Sequence, residues 1–168
     1  MKTAILTDSA ANLTKEFLDD NSCVYIIPLM INVDGVSYRD QVEISAEEVY
    51  EQLDDKHITT SLPLHEDLLE VIAKIKQDGY DQLLIITISS ALSGTYNSFR
   101  LILEDETQLP YTIYDSKTLA GGQGLLVEQA AELVKTGKTI PEIVTELDKQ
   151  RFESSIAMYT VNTLKYLR

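Results

Sequence analysis

Apolar residues fall along this chain in two rhythms, short continuous runs and stripes spaced three or four apart. Lys2 to Leu6 is a short apolar run ending in Thr7-Asp8-Ser9, which predicts a strand followed by a polar turn. Leu13, Phe17 and Leu18 predict a short helix. The β-branched run from Val24 to Val33 is interrupted by Pro28, which cannot donate to a sheet ladder, so it predicts two strand pieces or an edge. Asp34-Gly35 supplies a turn from which Val36 to Asp40 returns as a hairpin arm. Ser45-Ala46-Glu47-Glu48 has the pattern of a capping box and opens a helix carrying Val49, Tyr50 and Leu53. Beyond the polar patch Thr59-Thr60-Ser61, Leu68, Leu69, Ile72 and Ile75 share one helical face. Glu66 and Asp67 complement the start of that helix, and Gly79 ends it.

Leu83 to Ile88 is continuously apolar, as suits a strand covered on both faces of a parallel sheet. It leads through Ser89-Ser90-Ala91-Leu92-Ser93-Gly94-Thr95 into a helix with Phe99, Leu101, Ile102 and Leu103. Tyr111 to Tyr114 predicts another strand, closing at Asp115-Ser116. A glycine-bearing turn, Gly121-Gly122-Gln123-Gly124, is expected to precede a helix from Leu125 to Lys135. Thr139-Ile140-Pro141-Glu142 is a second capping box, starting the helix of Ile143, Val144 and Leu147. Ser155 to Val161 is expected to be a last strand. Strands alternating with helices define an α/β fold, a doubly wound, mainly parallel sheet flanked by helices.

Composition narrows the partners. Among 168 residues, 27 acids face 14 lysines and arginines, a formal net charge of −13. Such a field repels nucleic acid and anionic membrane surfaces, so no nucleic-acid partner is expected. An anionic ligand needs a local cluster of donors. The lone cysteine, Cys23, lies in an apolar run, the usual place for an inert buried thiol. The first residues lack the apolar length of a signal peptide, and no run approaches the ~20 apolar residues of a membrane span. A cytoplasmic location is expected.

In a doubly wound sheet, ligands bind beyond the carboxyl ends of the strands where the strand order switches. Three of the expected strand ends carry hydroxyls: Thr7-Asp8-Ser9, Ser89 to Thr95, and Asp115-Ser116. The Thr59-Thr60-Ser61 patch can join them. Ser93-Gly94-Thr95 stands between a buried strand and a helix, where unpaired amides and the helix dipole suit an anion. Gly94 permits close backbone approach. Hydroxyls before a helix also serve as simple caps, and the pattern leaves both roles open.

Other chemistries lack their parts. No G-x-S-x-G elbow surrounds a serine, and there is no G-x-x-x-x-G-K-[ST] loop. Gly121-Gly122-Gln123-Gly124 is not a dinucleotide fingerprint. His57 and His65 sit in polar surroundings that favour solvent-facing roles. One Cys and two isolated His do not make a metal site. Asp8 as an aspartyl-phosphate nucleophile lacks a second carboxylate two residues on.

Together these motifs resemble the DegV family of bacterial fatty-acid-binding proteins. Thr7-Asp8-Ser9-Ala10-Ala11-Asn12-Leu13 is similar to the family's first-strand signature, and Pro28-Leu29 with Tyr38-Arg39-Asp40 to its second segment. Thr60-Ser61-Leu62-Pro63 resembles its Thr-Ser-Gln-Pro motif, with Leu62 in place of the common glutamine. Ser89-Ser90-Ala91-Leu92-Ser93-Gly94-Thr95-Tyr96 is the most specific match. Asp115-Ser116 with Gly122 and Gly124 fits the following loop, where Ala120 replaces the usual serine.

The resemblance covers the whole chain and implies a single fatty-acid-binding domain over residues 1–168, with the family's C-terminal domain absent from it. It implies binding of a long-chain fatty acid and presentation of its carboxylate to a partner fatty-acid kinase subunit, with no cofactor and no catalytic residue of its own. Thr60 and Ser93 are the implied leading carboxylate ligands. Ser61, Gly94 and Thr95 complete the polar pocket, Gly94 and Thr95 mainly through backbone amides. The alternatives are a phosphoryl-transfer enzyme domain using the anion site at Ser93-Gly94-Thr95 and a structural or interaction domain with a vestigial pocket.

Overall fold

The two rhythms resolve into strands and helices in the computed structural model, which describes residues 1–106 and 109–153. The chain runs through β1 (Thr3–Asp8), a 3-10 turn (Ser9–Ala11), α1 (Lys15–Asp20), β2 (Val24–Ile27), β3 (Met30–Val33), β4 (Val36–Arg39) and α2 (Ala46–Gln52). It continues with β5 (Ile58–Ser61), α3 (His65–Gln77), β6 (Gln82–Thr87), α4 (Thr95–Glu106), β7 (Tyr111–Asp115), α5 (Ala120–Lys135) and α6 (Ile140–Glu153). The expected strand at Ser155 to Val161 lies outside the described residues.

Four strands pair in the order β2-β1-β6-β7, every pair parallel. Leu83 to Ile86 are each at most 1% exposed, as strands covered on both faces require. Alternate residues feed two separate cores, because successive side chains of a strand point to opposite faces. Ile5, Leu84 and Ile86 pack with Leu126, Val127 and Ala130 of α5 and Ile143 and Leu147 of α6. Ala4, Leu6, Leu83 and Ile85 pack with Leu68, Ile72 and Ile75 of α3 and Phe99 and Leu103 of α4. Leu101 of α4 instead faces outward.

Pro28 separates two sheets. β2 belongs to the parallel sheet, whereas β3 begins an antiparallel one ordered β4-β3-β5. The hairpin turn between β3 and β4 has Asp34 at φ 50° and Gly35 at φ 88°, positive as in a two-residue turn matched to strand twist. Asp34 Oδ1 accepts from His57 N at 3.0 Å, which ties the same turn to the start of β5. An ion-paired arginine fixes this sheet to the main body. The Arg39 guanidinium contacts both Asp67 carboxylate oxygens through Nε and Asp67 Oδ1 through a terminal nitrogen, at 2.9–3.2 Å.

Both expected helix starts form. Ser45 and Glu48 make a complete capping box at α2, and Glu142 accepts from Thr139 N and Oγ1 at 2.9 and 2.8 Å before α6. The glycine-bearing turn does not form: Gly121 to Gly124 lie inside α5. The reason is packing. A Cβ at Gly124 would stand 2.7 Å from the carbonyl oxygen of Ala11, so this glycine lets α5 lie directly on the 3-10 turn after β1.

Gly124→Ala should lose about 1–3 kcal/mol in chemical denaturation despite alanine's better helix propensity, because a backbone carbonyl must move. Gly121→Ala, with nothing within 4 Å of its added carbon, should instead stabilise by about 0.5–1 kcal/mol. Glu142, hydrogen-bonded by the Thr139 amide and hydroxyl and paired with Lys138, has its pKa lowered from 4.5 to about 2. A depressed carboxylate pKa contributes stability that is complete above about 4.5 and lost as pH falls towards 2. Denaturation midpoints measured across that window should fall less steeply in Glu142→Gln than in wild type.

Candidate functional site

The switch in strand order falls between β1 and β6, since the chain leaves β1 for β2 on one side and later enters β6 on the other. The carboxyl ends of β1, β6 and β7 therefore share one edge, where a crevice opens between diverging connections. Thr7-Asp8-Ser9, Ser89 to Thr95 and Asp115-Ser116 all come to this edge.

At its floor lies a buried polar network. Asp8 is fully buried, and its carboxylate accepts from Ile88 N at 2.8 Å, Ala10 N at 3.2 Å and Gln123 Nε2 at 3.1 Å. Burial raises the Asp8 pKa against the opposing pull of these hydrogen bonds. Gln123 Nε2 also reaches Thr7 Oγ1 at 3.0 Å, and Thr7 Oγ1 donates to the Ile86 carbonyl at 2.8 Å.

Above the floor, residues 89 to 93 make one tight turn. Leu92 N and Ser93 N both donate to the Ser89 carbonyl, at 2.9 and 3.0 Å. Ser93 Oγ lies 2.8 Å from Thr95 Oγ1 and accepts from Thr95 N at 3.3 Å. Thr95 is fully buried while Ser93 is half-buried and Gly94 exposed, so the turn offers Ser93 and the Gly94 backbone outward at the start of α4. Asp115 clasps the turn from β7: Ser90 Oγ donates to Oδ2 at 2.6 Å and Ser90 N to Oδ1 at 3.1 Å.

The Thr59-Thr60-Ser61 patch is strand β5, opposite β3. Its end meets the Ser93 turn, with Leu62 Cδ2 3.5 Å from where a Gly94 Cβ would stand. Thr60 pairs with Ile31, and Ser61 with Met30, so their side chains face opposite sides of the small sheet. Ser61 Oγ is engaged by Asn32 Nδ2 at 3.2 Å, on the side away from Thr60. His57 and His65 are exposed.

At the far edge of the sheet a cavity of about 280 Å³ is lined by Lys2, Asn21, Cys23, Tyr80, Lys135 and Lys138 among others. It shares no residue with the hydroxyl cluster. Lys135 stands in the last turn of α5 and Lys2 donates to the Asp78 carbonyl at the end of α3, positions that complement the negative ends of helix dipoles.

The flanking glycines place Gln123 in a turn, whereas it lies inside α5. Its signal was present in the spacing: it falls on the same stripe as Leu126, Val127 and Ala130, an amide on an otherwise apolar helix face.

Doubly wound domains commonly bind their ligands at such a switch point, where this chain gathers hydroxyls and a helix start. The family model for the uncharacterised proteins of the DegV family matches residues 2–168. A DegV domain-containing protein of Clostridium perfringens is 40% identical over 167 residues, covering 99% of this chain and 59% of the relative. The DegV fatty-acid-binding protein of Bacillus subtilis superposes with a TM-score of 0.84 at 28% identity, over 90% of this chain and 54% of that one. A stearic-acid-binding protein of Eubacterium ventriosum gives a TM-score of 0.76 at 33% identity, over 87% and 52%. The chain belongs to the DegV family, and it spans a little over half the length of these relatives. Among the described residues, no helix is long and apolar enough to cross a membrane.

Asp8→Ala should cost about 1–3 kcal/mol in urea denaturation, because Ile88 N and the Gln123 amide lose a buried acceptor. Asp8→Asn, which keeps one acceptor oxygen and removes the buried charge, should cost less.

Proposed function

We propose that this protein binds a long-chain fatty acid at the switch-point edge and presents its carboxylate to a fatty-acid kinase. The observation that carries the reading is the meeting of the β5 end with the Ser93 turn, Leu62 against Gly94. It brings two hydroxyl-bearing segments, far apart in sequence, to the start of α4. The fatty-acid binding of the B. subtilis and E. ventriosum relatives supports the same reading.

In this reading Thr60 and Ser93 donate their hydroxyls to the carboxylate, and the Gly94 amide adds a third donor with the α4 dipole behind it. Thr95, expected to offer its backbone amide, donates that amide to Ser93 Oγ at 3.3 Å, and orients the Ser93 hydroxyl through Oγ1 at 2.8 Å instead. Ser61, expected in the polar pocket, faces the opposite side of β5 from Thr60 and accepts from Asn32 Nδ2 there, which holds the strand in place.

Magnitudes divide the labour. Each buried methylene contributes ~0.8 kcal/mol, so about a dozen supply roughly 10 kcal/mol before association costs. A hydrogen bond to a charged group is worth ~1.5–3 kcal/mol. The acyl chain sets affinity, and the hydroxyls set where the carboxylate points.

Lipid extraction of the purified protein should release a fatty acid. Ser93→Ala should weaken binding about tenfold, by ~1.4 kcal/mol, and reduce phosphorylation of the bound acid by the kinase more than binding. Undiminished phosphorylation in the Thr60→Ala, Ser93→Ala double variant would refute the carboxylate assignment.

A further inference from the structure

We infer that Asp115 is a positioning residue for the Ser93 hydroxyl, acting through Ser90 and the turn at residues 89 to 93. The inference rests on the fatty-acid reading of the site.

The turn rises from the end of β6 and needs fixing on both sides. On the β1 side, Ile88 N is held by Asp8 at 2.8 Å. On the β7 side, Ser89 N donates to the Thr118 carbonyl at 2.9 Å, and Ser90 donates twice to Asp115, at 3.1 and 2.6 Å. Ser93 then hangs from the Ser89 carbonyl through its own amide at 3.0 Å. A carboxylate from each flanking strand thus anchors the loop of the strand between them.

The two anchors differ in what they can reveal. Asp8 is fully buried and also serves Ala10 and Gln123, so its loss disturbs the core. Asp115 is half-exposed at the rim, and its further carboxylate contact is the neighbouring Lys117 amide at 3.0 Å. Burial opposes its ionisation, but the Ser90 and Lys117 hydrogen bonds prevail and lower its pKa. The ionised carboxylate suits its role as a double acceptor from Ser90.

A negative charge beside a site for an anion is costly, which gives the inference a sign. Asparagine at this position keeps the geometry: its carbonyl oxygen accepts from the Ser90 and Lys117 amides, and its amino group donates to Ser90 Oγ, which can accept as well as donate. It also removes the charge. Alanine removes charge and clasp together, so the difference between the two variants isolates the clasp.

The test uses the full chain, with stearate as probe and two readouts: the dissociation constant, and the backbone amide resonances of Ser93 and Gly94 in ligand-free protein. Asp115→Asn should bind stearate as well as wild type or more tightly, with both resonances in place. Asp115→Ala should bind about tenfold more weakly than Asp115→Asn, with the Ser93 resonance displaced. Ser90→Ala, which keeps the backbone bond to Asp115, should fall between them and serves if Asp115→Ala does not fold. Equal binding and equal resonances across the Asn and Ala variants would overturn the inference. A wild-type chain that does not bind stearate would count against the fatty-acid reading alone, and the amide resonances would still decide the role of Asp115.

Discussion

Parallel pairing of β1 with β6 at the centre of the sheet is the constraint on which the rest of the molecule depends. Both strands are sealed by helices on each face, so their backbone groups must be satisfied without water. Within the ladder they satisfy each other. Where the strands end and their connections part, the ladder stops, and Ile88 N would be left in the interior without a partner. Asp8 supplies the acceptor, and the same carboxylate gathers the 3-10 turn and α5. A buried acid, ordinarily a liability, here answers a demand created by the sheet itself.

The layering also sorts charge. Parallel strands joined by helices put helix starts at the carboxyl edge and helix ends at the amino edge. α4 and α5 begin beside the hydroxyl cluster, whereas Lys135 stands at the end of α5 on the other side. The chain carries a net charge of −13, yet the carboxylates at the hydroxyl edge are absorbed in hydrogen bonds, Asp8 to three N–H groups and Asp115 to Ser90 and Lys117. An anion placed there would face amides and hydroxyls, with the ionised Asp115 at the rim as the nearby repulsion.

Much of this was legible in the residues, for identifiable reasons. The run at 83–88 suits a doubly covered strand, and the interruption at Pro28 is enforced by a missing N–H. Ser45 and Glu48 declare a helix start through chemistry confined to four residues. What escaped depends on contacts distant in sequence. Gly124 is read as a turn former until Ala11 is placed beneath it. Thr59-Thr60-Ser61 has no apolar alternation to mark it as a strand, and its extended form comes from pairing with β3. The gathering of Thr7, Ser93 and Asp115 at one edge followed from the fold class, but the clasp of Asp115 on Ser90 joins residues 25 apart and leaves no local trace.

The run of three consecutive hydroxyl residues in β5 has a consequence for how the fold tolerates change. Neighbouring residues of a strand face opposite ways, so sliding β5 by one position against β3 would exchange Thr60 for Thr59 or Ser61 on the side where Thr60 now stands. An alcohol would still be presented, whichever direction the slip took. A one-residue insertion or deletion in the segment leading from α2 could therefore accumulate over evolutionary time without emptying that face of its donor.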